Sequence, residues 1–197
     1  RYNTVTALSN FRPEIRTLSE HELRVELAAA YRIFDYLGWT HLIYGHITAR
    51  IPGPEAQFLI NPYGLMYHEV TASNLVKVDL DGNIVGDSDY PVNPAGFTIH
   101  SAVHGAREDV CCVMHTHTTA GMAVAATTDG IKCHDFAGIS LHNRVAYHEF
   151  EGITVDLDER ARLSKNLGDK NVMILRNHGL LSCGRTVADA FRYLYAL

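Results

Sequence analysis

The chain has 197 residues, of which 47% are hydrophobic and 20% charged, an ordinary globular composition that excludes a disordered or fibrous protein. Its 17 basic and 22 acidic residues give a formal charge of -5, with no basic run, so we expect no nucleic-acid partner. No apolar stretch reaches the roughly 18 residues of a membrane-spanning helix. None of the four cysteines forms a CxxC pair, so we expect reduced thiols in a cytoplasmic protein.

The first half of the chain predicts one helix followed by short strands. Residues 1–17 form an arm without periodicity, ahead of one domain over residues 18–197. Ser19 and Glu22 have the spacing of a capping box, which is typical of a helix start. The predicted elements are a helix over Ser19–Leu37, strands over His41–Ile51 and Phe58–Ile60, and a hairpin that joins Val76–Leu80 to Ile84–Val85.

The second half alternates helices and strands more clearly. The predicted helices are 96–106, 120–126, 158–167 and one after Thr186, and the predicted strands are 110–115, 172–175 and 180–183. The uncharged run at 110–114 indicates a buried strand that holds Cys111 and Cys112, with no disulfide. The last helix reaches Leu197 without a stop signal, so we expect the chain to continue. The predicted fold is a single αβα domain with a central, mostly antiparallel or mixed sheet covered by helices.

The strongest chemical signal is His115-Thr116-His117, at the end of a buried strand. Residues i and i+2 of a strand point to one face, so two imidazoles emerge side by side. His178 follows another apolar strand in a tight loop and is a candidate third ligand. Three neutral imidazoles form an open site for Zn²⁺ or a similar ion. The spacing alone leaves a second interpretation open, in which these are surface or hydrogen-bonded core histidines.

Five spaced stretches of the chain form a more specific pattern. They are WTHLIYGHIT (39–48), FLINPYGLMYHEVTASNLVKVDLDGN (58–83), NPAGFTIH (93–100), VMHTHT (113–118) and ILRNHGLL (174–181). In this order they resemble the class II aldolase/adducin family, nearest its adducin-like branch. The resemblance covers the chain from about Ser19 to Leu197.

The resemblance implies a metal site and an activity. His115, His117 and His178 would bind a divalent metal, with zinc expected and iron as the alternative. The activity would be that of a metal-dependent carbon–carbon lyase on a small carbonyl or hydroxy substrate. Family members are commonly tetramers, so a homo-oligomer is expected. A loose fit to an acid tyrosine that family aldolases take from a neighbouring subunit makes His148 a candidate catalytic residue.

Four further residues are candidate substrate contacts. The family's glycine–asparagine phosphate motif reads GHIT at 45–48 here, which places His46 and Thr48 near the substrate. His46 could equally be an ordinary strand histidine. The turn with Asn61 and Gly64 could hold an anion through backbone N–H groups, and a plain turn is the alternative.

One departure from the family pattern affects the chemistry. The glutamate that moves the proton in the aldolases lies four residues before the histidine that here is His100, and that position is Gly96. We expect Gly96 to face the metal and to leave a space for water or a bulkier substrate group. Cleavage of sugar phosphates should then be slow, because loss of a general base typically costs about 10²–10⁴-fold. His46, His148 or metal hydroxide would have to replace the carboxylate.

Two other functions stay open on the sequence. A three-histidine site can hold Fe(II) in a non-haem oxygenase, although the usual iron pattern includes a carboxylate. The domain could instead be a non-catalytic interaction module, like the head of adducin. The metal content of the purified protein discriminates among the three.

Overall fold

A seven-stranded mixed sheet organises the molecule. The computed structural model describes residues 17–132, 134–135, 138–152 and 158–197. The strands are β1 (His46–Arg50), β2 (Gln57–Ile60), β3 (Val76–Asp79), β4 (Cys112–Thr116), β5 (Val145–His148), β6 (Val172–Leu175) and β7 (Gly179–Gly184). Their spatial order is β3-β2-β1-β4-β7-β6-β5, and every neighbouring pair is antiparallel except β5 and β6.

Helices cover both faces of this sheet. The helices are α1 (Glu20–Tyr36), α2 (Pro94–Ala106), α3 (Thr119–Ala125), α4 (Glu159–Leu167) and α5 (Val187–Ala196), with short 3-10 turns at Tyr67–Glu69 and Gly138–Leu141. α1 and α5 pack on one face, α2 and α4 pack on the other, and α3 lies against β7. The predicted αβα domain with a mostly antiparallel or mixed central sheet is therefore confirmed.

Local capping signals set the helix starts as the sequence predicts. The Ser19 hydroxyl accepts a hydrogen bond from the Glu22 N–H, and the Glu22 carboxylate accepts one from the Ser19 N–H at 2.9 Å. The Thr186 hydroxyl accepts from the Asp189 N–H at 3.0 Å and so begins α5. Such caps satisfy N–H groups that have no partner within the helix.

Two strands differ from the sequence prediction. β1 begins at His46 rather than at His41, because the backbone of Leu42 (φ 51°) and Gly45 (φ 85°) is left-handed and cannot continue a strand. The strand β5, at Val145–His148, was not predicted. It is a four-residue edge strand with one neighbour, and its parallel pairing with β6 comes from a long-range contact rather than from a local pattern.

Strand β4 lies at the centre of the sheet and is covered on both faces. Cys112 and Met114 pack among side chains of the α1–α5 layer, whereas Val113 packs in the α2–α4 layer. Cys112 and Cys183 are buried free thiols, and Cys111 is partly buried one residue before the strand. Cys133 lies outside the described residues. The predicted buried strand is confirmed for Cys112, whereas Cys111 lies just before the strand and is only partly buried.

The predicted arm, residues 1–17, lies outside the described residues except for Thr17. No helix within the described ranges has both the length and the apolar character needed to cross a bilayer.

Candidate metal centre

Three histidines from two neighbouring strand ends converge at one point. One ring nitrogen from each of His115, His117 and His178 lies within 4.8 Å of the other two. The ring centroids are 4.6 Å apart for His115 and His117, 4.7 Å for His115 and His178, and 4.9 Å for His117 and His178. This spacing is what three imidazoles need in order to share one ion at about 2.0–2.1 Å each. His117 and His178 are partly exposed, so the point they surround is reachable from solvent.

The backbone fixes the orientation of His115. Its Nδ1 donates a hydrogen bond to the Leu180 carbonyl oxygen on the adjacent strand, at 2.9 Å. The remaining nitrogen, Nε2, then carries a lone pair and lies 2.8 Å from Nε2 of His117. A carbonyl that holds the far nitrogen of an imidazole is the usual support of a metal-binding histidine.

A tight turn brings His178 to the cluster. Asn177 has a left-handed backbone (φ 55°), and its N–H donates to the Ala125 carbonyl oxygen at 2.9 Å. Gly179 follows at a point of close approach, where a Cβ would lie 2.3 Å from the Thr116 carbonyl oxygen and 3.0 Å from the His117 ring. A side chain at position 179 would therefore displace the very strand that carries the other two histidines.

Burial keeps the cluster uncharged. Desolvation lowers the pKa of His115 well below its ordinary value and the pKa of His117 to about 4, and it also lowers the pKa of His178. Neighbouring imidazoles lower these pKa values further, because two positive charges would repel. A neutral imidazole is the form that ligates a metal, so the three residues fit a divalent ion in charge as well as in spacing.

Comparison with known proteins identifies the family of this chain. Residues 25–197 match the family model of the class II aldolase and adducin N-terminal domain. The chain belongs to the class II aldolase/adducin family. A class 2 aldolase-type protein of Pseudomonas aeruginosa is 50% identical over 179 residues, which are 91% of this chain and 69% of that protein. Alpha-adducin of Rattus norvegicus is 51% identical over 181 residues, which are 90% of this chain but 24% of adducin.

Solved structures of class II aldolase/adducin proteins have the same fold. An aldolase II superfamily protein from Pseudomonas syringae superposes with a TM-score of 0.89 at 53% identity, over 92% of this chain and 73% of that one. An L-fuculose 1-phosphate aldolase from Glaciozyma antarctica superposes with a TM-score of 0.82 at 31% identity, over 94% of this chain and 74% of that one. The fold is thus shared with these two class II aldolase proteins.

The space beside Gly96 is filled, contrary to the sequence prediction. A Cβ at position 96 would lie 2.6 Å from Cδ2 and 3.0 Å from Nε2 of His46, so the His46 ring occupies the volume that a side chain there would enter. His46 pairs directly across the sheet with His115, and their ring centroids are 4.9 Å apart. The expectation of a vacant space for water or substrate was wrong, because the imidazole of His46, on β1, occupies it.

The other predicted substrate contacts lie in different surroundings. The Thr48 hydroxyl is buried and bonded to His100 and His104, at 2.7 and 2.8 Å. The Asn61 side chain is buried and accepts a hydrogen bond from the Tyr31 hydroxyl at 2.9 Å. Gly64 lies in an exposed turn with φ 99°. A direct contact of substrate with the Thr48 or Asn61 side chain has no support in this geometry, and an anion role for Gly64 stays a prediction.

The candidate catalytic residue His148 lies on β5 and is buried. Its Nε2 lies 3.1 Å from a carboxylate oxygen of Glu159, and its Nδ1 lies 2.9 Å from the side-chain amide of Asn166. Both ring nitrogens are therefore engaged within the subunit. A catalytic role for His148 stays a prediction, and it would require one of these two bonds to open.

Sequence reasoning missed two buried histidines on α2. His100 and His104 are 1% and 2% exposed and face the same side of the helix as Gly96. The signal was present in the sequence, because positions 96, 100 and 104 follow the four-residue spacing of one helix face.

These buried histidines predict that the metal-free protein is less stable in acid. Burial lowers the pKa of His104 to about 3 and that of His100 well below the ordinary 6.5. Below pH 6.5 the unfolded chain binds protons that the folded chain excludes, so this stability is present at neutral pH and is lost as pH falls. At about 1.4 kcal/mol per pH unit, His104 alone costs about 2 kcal/mol at pH 5, and His100 adds to this cost in the same direction.

Urea unfolding at pH 7, 6 and 5 in the presence of a chelator measures this effect. The unfolding midpoint should fall steadily toward pH 5, and unfolding should take up protons. Replacement of the exposed His142 by alanine is the control and should leave the pH dependence unchanged. A midpoint that rises toward pH 5 would contradict the neutral, buried state of His100 and His104.

Proposed function

We propose that this chain is the metal-binding domain of a class II aldolase-type carbon–carbon lyase that acts on a small substrate with carbonyl and hydroxyl groups. The observation that carries the proposal is the convergence of three uncharged imidazoles, of which a backbone carbonyl orients His115, at a solvent-reachable point. Pure scaffolding gives no reason to cluster three histidines against one another, because each gives up part of its hydration without an apolar gain.

Different residues of the chain would bind the metal ion and the substrate. His115, His117 and His178 would hold the ion, which when bound supplies a positive charge that polarises substrate oxygens. His46 lies against the cluster from β1, with its ring centroid 4.9 Å from that of His115, and would hydrogen-bond a substrate oxygen. The Leu180 carbonyl keeps His115 in its ligating orientation. A small molecule is thus the proposed substrate.

Zinc is the ion that we propose. Among the described residues, the three-histidine group includes no carboxylate. Three imidazoles with an open position are typical of catalytic zinc, whereas the common non-haem iron pattern includes a carboxylate. Iron remains the alternative that the experiment below distinguishes.

Metal analysis combined with proton exchange tests the proposal. The protein, purified without chelators, should contain about one zinc per chain. In D₂O it should catalyse deuterium incorporation at the carbon next to the carbonyl of a small hydroxyketone such as dihydroxyacetone, and chelation should abolish this exchange. Iron together with oxygen uptake would instead support an oxygenase. Absence of both metal and exchange would support a non-catalytic interaction module.

Cleavage of L-fuculose 1-phosphate should be slow in this protein. Position 96 offers no carboxylate, and loss of a general base costs about 10²–10⁴-fold in rate. The Glaciozyma antarctica enzyme is the positive control, since it bears the name of this activity. Turnover of this protein within tenfold of that control would contradict the inference about Gly96.

Assembly follows from the resemblance and location from the expected reduced cysteines, and both are part of the proposal. We expect a homo-oligomer, with a tetramer as the expected size, in the cytoplasm. Light scattering of the purified protein measures the first of these directly.

A further inference from the structure

A cavity next to the central strand has walls that are almost wholly apolar. Its volume is about 200 Å³, and residues of β6, β7, α3 and α5 line it. Val124, Ile174, Leu180 and Leu194 belong to its wall, and none of the described residues that line it has a charged side chain. An engineered cavity of about 150 Å³ with similar apolar walls stays dry and binds benzene. This cavity therefore has room for a benzene ring with a small substituent.

Thr116 contributes a hydroxyl to this wall. Successive side chains of a strand point to opposite faces of the sheet. On β4, Met114 packs in the α1–α5 layer and Val113 in the α2–α4 layer, so Thr116 faces the α1–α5 side and lines the cavity from there. His115 faces the other side of the sheet, toward the metal centre. Strand β4 thus separates the cavity from that centre.

The Thr116 hydroxyl lacks a partner among the residues that the structure describes. Thr116 is 1% exposed, and its Oγ1 makes no hydrogen bond there. Two residues later, the Thr118 hydroxyl is engaged, since it accepts from the Gly121 N–H at 3.1 Å. A buried hydroxyl without a partner is costly, and most buried polar atoms have one. An oxygen atom in the cavity can supply the partner of Thr116, because rotation about Cα–Cβ lets the hydroxyl and methyl groups exchange places.

Two aromatic side chains lie where the cavity meets solvent. Trp39 and Tyr195 both line the cavity, and their ring centroids are 5.8 Å apart. Tyr195 is 66% exposed, so solvent reaches the cavity wall at this ring. Aromatic rings pack favourably against a further ring through their faces or edges. A flat, apolar ligand therefore has both an entrance and a favourable contact here.

We propose that this cavity binds a small, uncharged and mostly apolar molecule, about the size of phenol, whose single oxygen atom hydrogen-bonds to the Thr116 hydroxyl. A sugar phosphate does not fit the site, because the described wall offers no charged side chain to pair with a buried phosphate. The site lies apart from the metal centre and is independent of the proposed function, so failure of that function leaves the test below unaffected.

Fluorescence titration with phenol tests the proposal. Trp39 is the single tryptophan of the chain and lines the cavity, so its emission reports on a ligand bound there. Phenol has the proposed size and one hydroxyl, and toluene has the same shape with a methyl group in place of that hydroxyl. We expect phenol to change the Trp39 emission saturably, with a Kd of about 1 mM or lower, an affinity that ligands of this size reach.

Thr116→Val replaces the hydroxyl by a methyl group and keeps the shape of the side chain. Phenol should bind this variant about 3–10-fold more weakly, the effect of one neutral hydrogen bond, whereas toluene should bind it no more weakly than the wild type. The unfolding temperature should not fall, because the hydroxyl has no hydrogen bond among the described residues to lose. Thr128→Val, at an exposed threonine that does not line the cavity, is the control and should bind both ligands like the wild type.

Three results would overturn the proposal. One is the absence of a saturable change with phenol, whether the cavity then holds only water or another part of the protein. Another is an equal loss of phenol and toluene affinity in Thr116→Val, since the hydroxyl would then make no bond to the ligand. The third is a clear fall in the unfolding temperature of Thr116→Val, or its failure to fold, which would show that the hydroxyl has a partner in the protein.

Discussion

Replacement of His117 by alanine is expected to lower zinc affinity by more than about 100-fold, because outer-shell changes alone cost 10–100-fold and this change removes a ligand. His117 is the suitable position, since it is partly exposed and its loss leaves no cavity in the core, whereas His115 is fully buried. The two remaining imidazoles, His115 and His178, would leave the ion with half of a tetrahedral set.

Calorimetric titration of the metal-free protein with zinc measures this loss. Added zinc should also raise the unfolding temperature of the wild type and leave that of His117→Ala nearly unchanged, because only binding to the folded state stabilises it. His142→Ala, which removes an exposed histidine outside the cluster, is the matched control and should bind like the wild type. Equal zinc affinity in His117→Ala and in the control would exclude the three-histidine centre.

The second large effect is that Gly96→Ala is expected to destabilise the protein, the opposite of the usual effect of alanine in a helix. Alanine normally stabilises a helix relative to glycine by about 0.5–1 kcal/mol. At position 96 its Cβ would lie 2.6 Å from the His46 ring, which the hydrogen bond to His100 holds in place. Overpacking of this kind costs about 1–3 kcal/mol. Gly96→Ala should therefore lower the free energy of unfolding, whereas the same change in a His46→Ala background should raise it.

Urea unfolding of the two single variants and the double variant measures this coupling. Gly105→Ala is the control on the same helix, because a Cβ there would meet only Leu80, at an ordinary 3.8 Å. It should raise the stability in both backgrounds. If Gly96→Ala is stabilising in the presence of His46, the ring does not fill the space as described, and the contrast with the family carboxylate would need another explanation.

The sequence alone determined two helix starts, the buried central strand and the spacing of two histidines. The capping residues Ser19 and Thr186 fixed the starts of α1 and α5, because a cap acts within three residues of chain. The uncharged run before His115 indicated a strand covered on both faces, since a charge there would be desolvated without a partner. The i, i+2 spacing of His115 and His117 placed two imidazoles on one side of the strand end. The tight loop after a second apolar strand made His178 the candidate third ligand, and the family resemblance supported it.

Tertiary structure decided what surrounds those three histidines. The pairing of β1 with β4 sets His46 opposite His115, and the docking of α2 brings Gly96 and His100 against His46. No local pattern encodes these contacts, because they join residues about 50 or more positions apart and depend on strand order and helix placement. The sequence could therefore show that a carboxylate is missing at position 96, but only the packing of β1 against α2 could show that an imidazole fills its place.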